Sequence, residues 1–197
     1  MVELGRPVRI VAFAGSTRSG SFNQLLVDQA CVIAEELGAE TDSLLLKDFP
    51  MPIYNADFER EAGVPETTRR FVARVEAADS VLIASPEYNG GYTPLFKNTL
   101  DWATRIDKLL FLPRRVGIST TTPGVKGGVL GLAQMEAVFR NIYVTVHEPS
   151  LSIPHARRVF VDGALADEEA RSVLEEWVKG FVAASEAQAL DPPQPQF

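Results

Sequence analysis

The chain predicts a doubly wound α/β domain: a five-stranded parallel sheet in the order 2-1-3-4-5, with helices on both faces. Three observations lead to this. Apolar runs of strand length alternate with segments whose apolar residues recur at helical spacing, the pattern of strands joined by crossover helices. Residues 8–14 (VRIVAFA) and 80–84 (SVLIA) are nearly continuous in apolar residues, as strands covered on both faces must be. The two most unusual polar stretches, GSTRSGSFN at 15–23 and SPEYNGGYTP at 85–94, follow those two runs directly. In this strand order the switch point lies between the first and third strands, and ligands bind there, beyond the carboxyl ends.

The elements follow in order. After the strand at 8–14, Leu26, Ala30, Ile33, Ala34 and Leu37 recur at helical spacing and Gly38 supplies the stop. Residues 41–46 form a second strand. A loop with Phe49-Pro50-Met51-Pro52 leads to a helix through Phe71 and Val75, and 80–84 is the third strand. Thr93-Pro94 is an N-cap and first helical position, with the helix running to about Thr104. Residues 116–119 form the fourth strand, the weakest by pattern. Gly127-Gly128 opens a helix bearing Leu130, Ala133, Ala137 and Val138, and 142–146 is the fifth strand. Asp167, with Glu168 and Glu169 behind it, starts a last helix bearing Val173, Leu174, Trp177, Val178 and Phe181. No repeat or linker divides the chain. One domain over 1–188 and a Pro/Gln-rich tail at 189–197, expected to be disordered, account for all of it.

Composition narrows the function. The 197 residues suit one medium domain, and 46% hydrophobic with 23% charged residues is ordinary for a soluble protein. A net charge of −7 without a basic cluster argues against nucleic acid. No apolar stretch is long enough to span a bilayer, and Arg9 within the first run argues against a secretory segment. A single cysteine, Cys31, excludes an internal disulfide framework, and two distant histidines give no zinc spacing. Cys31 reads as a small buried apolar residue, His147 as a loop-end histidine and His155 as a surface one. The expectation is a cytoplasmic enzyme or binding domain with no structural metal and no membrane partner.

The first loop has the composition of a phosphate site at a helix N-terminus. Ser16 and Ser21 can donate to phosphate oxygens, Arg18 can add charge-assisted bonds, and Asn23 can tie the loop or add a donor. The alternative is that Ser21 merely caps the helix and Arg18 is solvated. There is no G-x-x-x-x-G-K-[ST] and no G-x-G-x-x-G after the first strand. No cysteine stands in the loop for a phosphatase, and no acidic residues end the first strand for a receiver domain. In the second loop, Gly90-Gly91 lets the backbone approach a flat ligand and Tyr88 and Tyr92 can flank it. Glu87 and Asn89 can bind polar edges or brace the loop, and the bland alternative is a rigid turn into a capped helix. A third loop, STTTPGVKGG at 119–128, brings Thr121 and Thr122 to the same edge.

Together these loops resemble those of the NADPH-dependent FMN reductase family of flavodoxin-like proteins. That family includes flavin, quinone, chromate and azo-dye reductases. Gly15, Ser16, Arg18, Ser21 and Asn23 match its G-S-x-R-x-x-S-x-N loop. Pro86-Glu87-Tyr88-Asn89, Lys97-Asn98 and Asp101-Trp102 match its second motif, and residues 52–58 look like its loop after the second strand. The resemblance implies a flavodoxin-like fold and bound FMN, with NADPH or NADH as co-substrate. Ser16, Thr17, Arg18, Ser21, Phe22 and Asn23 would hold the phosphate. Pro86, Glu87, Tyr88, Asn89 and Gly90 would hold the ring system and part of the ribityl chain, with Thr121 touching the cofactor from the third loop. It also implies a homodimer or homotetramer with the pocket near the subunit interface. The reaction expected is hydride transfer from NAD(P)H through FMN to a quinone, free flavin, azo dye or metal oxyanion, by ping-pong kinetics. The flavin carries the chemistry, so no protein acid or base is assigned. The rival readings are an electron-transfer or redox-sensing FMN protein without NAD(P)H activity, and a cofactor-free interaction module.

Overall fold

A parallel strand buried on both faces sends alternate side chains into two separate cores, and the central strands do so here. The computed structural model describes residues 4–194. In β1 (Arg9–Ala14), Ile10, Ala12 and Ala14 face one core while Val11 and Phe13 face the other. The first core is closed by α1 (Phe22–Glu36), through Leu26, Ala30 and Ala34, and by the last helix, through Trp177, Val178 and Phe181. β2 (Glu40–Leu44) pairs with the outer side of β1 and leads, past a single 3-10 turn at Leu46–Asp48, into α2 (Ala56–Ala62) and α3 (Glu66–Glu76). β3 (Ser80–Ala84) is buried at every position. The second core lies under α3, α4 (Pro94–Ile106) and α5 (Val129–Asn141), where Phe71, Phe96 and Phe139 are buried completely or nearly so.

β4 (Arg115–Thr121) lies beside β3 and β5 (Leu151–Ile153) beside β4, which completes a parallel sheet in the order β2-β1-β3-β4-β5. This is the flavodoxin-like order that the sequence predicts. A short excursion follows: α6 (Ala156–Val159), then β6 (Phe160–Val161) and β7 (Ala164–Leu165), which pair as an antiparallel hairpin. α7 (Glu168–Leu190) ends the fold, with the Asp167 side chain accepting from Ala170 N–H as its cap.

Several expected boundaries move. The fifth strand is not 142–146. That stretch begins at the end of α5, and Tyr143 sits at φ +62°, which turns the chain instead of extending it. Val144 and Val146 are buried, but as a connection, and only Val146 bridges to β4, at Val116. Pro149 has no N–H to give to a ladder, so regular pairing resumes at Leu151. The motif at 52–58, expected as a loop, contains the start of α2, capped by the Asn55 side chain, which accepts from Asp57 and Phe58 N–H. The α6 excursion and its hairpin carry too few residues for periodicity to show them. The last helix continues to Leu190, two residues beyond the expected edge of the tail. Residues 195–197 of that tail lie outside the described residues. No helix among the described residues is long and apolar enough to cross a membrane.

Candidate active site

Sheet register brings three strand ends level. Ala14 pairs with Ala84, and Ala84 with Ser119. The ladder runs one step further: Gly15 N–H donates to Ala84 O at 2.8 Å, and Ser85 N–H to Ser119 O at 3.1 Å. The loops leaving β1, β3 and β4 therefore start side by side. Gly15 is where two of them touch. A Cβ there would stand 2.8 Å from Ser85 Oγ and 3.0 Å from Thr93 Oγ1. The Thr93 hydroxyl, which caps α4 by accepting from Phe96 N–H, donates to Gly15 O at 2.8 Å.

In the first loop Ser21 holds the N-cap position of α1 but makes no side-chain cap bond, and no acidic residue occupies the first turn. The reading of Ser21 as a mere cap is therefore not what the fold adopts. The N–H groups of that first turn are left for an acceptor outside the helix, where the helix dipole favours an anion. Arg18 has no carboxylate partner among the described residues; its guanidinium lies 5.8 Å from the Phe22 ring centroid. Asn23 ties the loop instead of adding a donor. Its Nδ2 donates to Thr121 O at 2.9 Å and its Oδ1 accepts from Thr121 N–H at 3.1 Å, which locks the first loop to the third.

The second loop is a tight hairpin. Tyr88 and Gly91 exchange backbone bonds at 2.8 and 3.0 Å, with Asn89 at φ +52° and Gly90 at φ +78° between them. Two consecutive left-handed residues are the requirement of a type I′ turn, which Asn-Gly meets. Gly90 is thus needed for its φ; a Cβ there would meet only Leu130 Cδ1, at 3.6 Å. Glu87 braces the loop by accepting from Gly131 N–H, in the first turn of α5, at 2.9 Å. Gln134 Nε2 donates to Gly90 O at 2.9 Å. Tyr92 packs edge-on against Phe96, with centroids 5.5 Å apart, and lies half-buried against the second core; Tyr88 is the exposed ring.

The K-N-x-x-D-W part of the motif fastens the loop after β2. Asn98 Oδ1 accepts from Tyr54 N–H at 2.8 Å, and Asn98 Nδ2 and Trp102 Nε1 both donate to Pro52 O, at 2.9 and 2.7 Å. Lys97 pairs with Asp101 one turn along α4.

Between the loops lies a cleft of about 300 Å³. Ser16, Arg18, Ser21, Phe22 and Asn23 line it from the first loop, and Pro86, Glu87 and Tyr88 from the second. Thr121, Thr122 and Pro123 line it from the third, and Arg157 enters from α6. A second depression of similar size shares Ser16, Arg18 and Ser21 and adds Thr17, Asp28 and Lys47 among others, but meets none of the second or third loop. The inter-loop cleft is therefore the candidate site. Of the residues that the sequence singled out, Thr17 lines only the second depression, and Asn89 and Gly90 shape the turn without lining the cleft. Arg157 was missed, because a lone arginine after an unrecognised strand carries no sequence signal.

The profile of the NADPH-dependent FMN reductase family matches residues 8–158. The chain belongs to this family. It is 30% identical over 181 residues to an NAD(P)H-dependent FMN reductase of Pseudomonas aeruginosa, covering 88% of this chain and 93% of that protein. It is 32% identical over 126 residues to a quinone reductase of Escherichia coli, covering 64% of this chain and 65% of that one. The solved structure of FerB, a flavoenzyme NAD(P)H:(acceptor) oxidoreductase from Paracoccus denitrificans, superposes with a TM-score of 0.79 at 31% identity, over 92% of this chain and 98% of that one. As a member of the FMN reductase family the chain is an oxidoreductase with FMN as cofactor and NAD(P)H as co-substrate.

The cleft fits that cofactor on its own chemistry. The uncapped start of α1 and the free Arg18 suit a phosphate, and the Thr121 hydroxyl is buried without a hydrogen-bond partner on the wall of the cleft. Neither histidine lines it. His147 is buried, not merely at a loop end, with ring centroids 5.6 Å from Trp177 and 5.5 Å from Phe181. Burial, with help from Arg115, pushes its pKa down. Cys31 is buried in the first core, and desolvation pushes its thiol up to about 12, which leaves it inert.

Proposed function

We propose that this reductase passes reducing equivalents from NAD(P)H to a small aromatic acceptor of the quinone or flavin class, with azo dyes and metal oxyanions as further acceptors, by ping-pong kinetics. The observation that carries the reading is the cleft in which the uncapped start of α1, the free Arg18 and the exposed Tyr88 ring meet. FMN, when bound there, supplies the hydride and electron transfer. The chain's residues hold and orient it. Ser16, Arg18, Ser21 and the first-turn N–H groups of α1 bind the phosphate. Pro86, Glu87 and Tyr88 form the wall for the ring system, with Asn89 and Gly90 fixing the turn that presents them, and the Thr121 hydroxyl donates from the third loop.

A flavin ring held against these loops would have one side on the protein and the other open. The nicotinamide and an aromatic acceptor both need that open side, so the oxidised nicotinamide leaves before the acceptor enters. The test is an anaerobic assay over a panel of acceptors. Parallel double-reciprocal lines, and bleaching of the bound flavin by NADPH alone at a rate no slower than turnover, are expected. Intersecting lines, or bleaching that needs the acceptor present, would overturn the shared open side.

The same reading takes residues 1–188 as a single FMN-binding domain acting in the cytoplasm. Exposed Val125, Val129 and Leu130, around the third loop and the start of α5, offer apolar surface to a second copy. We assign the assembly as a homodimer or homotetramer, and light scattering of the holoenzyme decides it.

A further inference from the structure

We propose that Arg157 is a second guanidinium of the site, binding a phosphate monoester together with Arg18. The assignment rests on the flavin reading of the cleft and adds a residue to it. Arg157 lines the same cleft as Arg18, on an element 139 positions further along the chain. It has no hydrogen-bond or ion-pair partner among the described residues. Its neighbour Arg158 reaches Asp167 at 3.4 Å and lines a different depression.

The fold fixes where Arg157 stands. Ala156 N–H donates to Thr122 O at 2.9 Å, so the start of α6 is bonded to the third loop two residues before its Gly124 turn. His155, at φ +57°, makes the bend that turns the chain into α6. Behind it, Phe160 packs on Phe22 with ring centroids 6.0 Å apart, and Phe22 is the ring beside the Arg18 guanidinium. Helix α6, which carries Arg157, is thus held at its start to the third loop and just past its end to Phe22 of the first.

Charge argues in the same direction. A phosphate monoester near pH 7 carries close to two negative charges. Arg18 balances one, the chain's net charge is −7, and Glu87 lines the same cleft. A second guanidinium completes the balance and adds a geometry suited to phosphate oxygens. Two phosphate monoesters reach this site by the reaction's own chemistry: the 5′-phosphate of FMN and the 2′-phosphate of NADPH. The shared chemistry is assigned here, and the experiment separates the sources.

Apoprotein is titrated with FMN and with riboflavin by fluorescence quenching, for the wild type, Arg157→Ala, Arg157→Lys and the neighbouring control Arg158→Ala. Circular dichroism and thermal unfolding confirm that each variant is folded. If Arg157 serves the flavin phosphate, Arg157→Ala weakens FMN about ten- to a hundredfold and leaves riboflavin nearly unchanged. Arg157→Lys then recovers part of the loss, and Arg158→Ala matches wild type. If it serves the nicotinamide cofactor, FMN binding is unchanged, but flavin bleaching loses half-saturation affinity for NADPH by a similar factor and none for NADH. Arg157→Ala with unchanged FMN-to-riboflavin and NADPH-to-NADH ratios overturns the assignment while leaving the flavin reading intact. A wild-type apoprotein that takes up neither flavin overturns both.

Discussion

Asn23 and Thr121 stand 98 positions apart and exchange two hydrogen bonds, at 2.9 and 3.1 Å, between one side-chain amide and one backbone residue. Both residues are buried. Asn23→Ala strands a buried N–H and C=O together, at a cost of about 3 kcal/mol. FMN and riboflavin should then weaken alike, because the lost link positions the whole cleft and not the phosphate alone. Urea unfolding and paired flavin titrations measure both effects.

Arg18→Ala should behave differently. Beside the Phe22 ring contact, its side chain makes only a long hydrogen bond of 3.5 Å to the Ser19 carbonyl. Stability should stay within about 0.5 kcal/mol of wild type. FMN affinity should fall by about 1.5–3 kcal/mol while riboflavin affinity holds. Equal losses for the two ligands would remove Arg18 from the phosphate.

Gly90→Val places a β-branched residue at φ +78°. Such a residue is a genuine outlier there, costing about 1–3 kcal/mol of local strain. A Cβ there would meet only Leu130 Cδ1, at an ordinary contact distance of 3.6 Å, so the loss comes from the backbone and not from a clash. Gly90→Asn, which tolerates the left-handed region, should recover most of the FMN occupancy that Gly90→Val loses. Similar loss in both variants would instead indicate that a ligand fills the space.

Arg114 is a buried cation that the sequence did not single out. Its guanidinium donates to the carbonyls of Val75, Ala78, Glu76 and Leu110, closing the end of α3 against the segment before β4. Burial pushes its pKa below the usual guanidinium value. Arg114→Met fills similar volume but leaves those carbonyls without their donor, for an expected loss of about 3 kcal/mol in chemical denaturation. Flavin affinity of the folded fraction should be unchanged, since Arg114 does not line the cleft.

His147 predicts a pH dependence. Its pKa in the folded protein is lowered, chiefly by burial, then by Arg115. Above about pH 6.5 it is neutral in both folded and unfolded chains, and its packing is fully available. As the pH falls from there, the unfolded chain takes up a proton that the folded site resists, and stability is lost until the folded-state pKa is passed. His147→Phe keeps a ring between Trp177 and Phe181 and should flatten this part of the profile. Urea midpoints at pH 8 and pH 5.5 compare the two proteins.

Local chemistry made much of this protein legible in its sequence. The continuous apolar runs of β1 and β3 identify themselves, because burial on both faces leaves no other composition. Thr93 and Asp167 announce their helices, because a cap bonds only two or three residues onward. The loop at 15–23 stands out because a strand-to-helix turn suited to a phosphate needs small, donor-rich residues, and the loop at 85–94 because its tight turn needs Asn-Gly at two left-handed positions. Tertiary structure decided what depends on distant partners. Asn23 could be a donor or a tie until Thr121 was beside it. Tyr92 and Tyr88 look equivalent in sequence, and only the position of Phe96 draws one of them half-buried against the core. Strand β5 pairs along three residues of β4, too few for periodicity to reveal, while the more apolar 142–146 is a connection that buries only Val144 and Val146. Arg157 reaches the cleft only because backbone bonds to the third loop and the contact of Phe160 with Phe22 hold its segment there. A hydrogen bond or a ring contact across the sheet leaves no periodic trace along the chain.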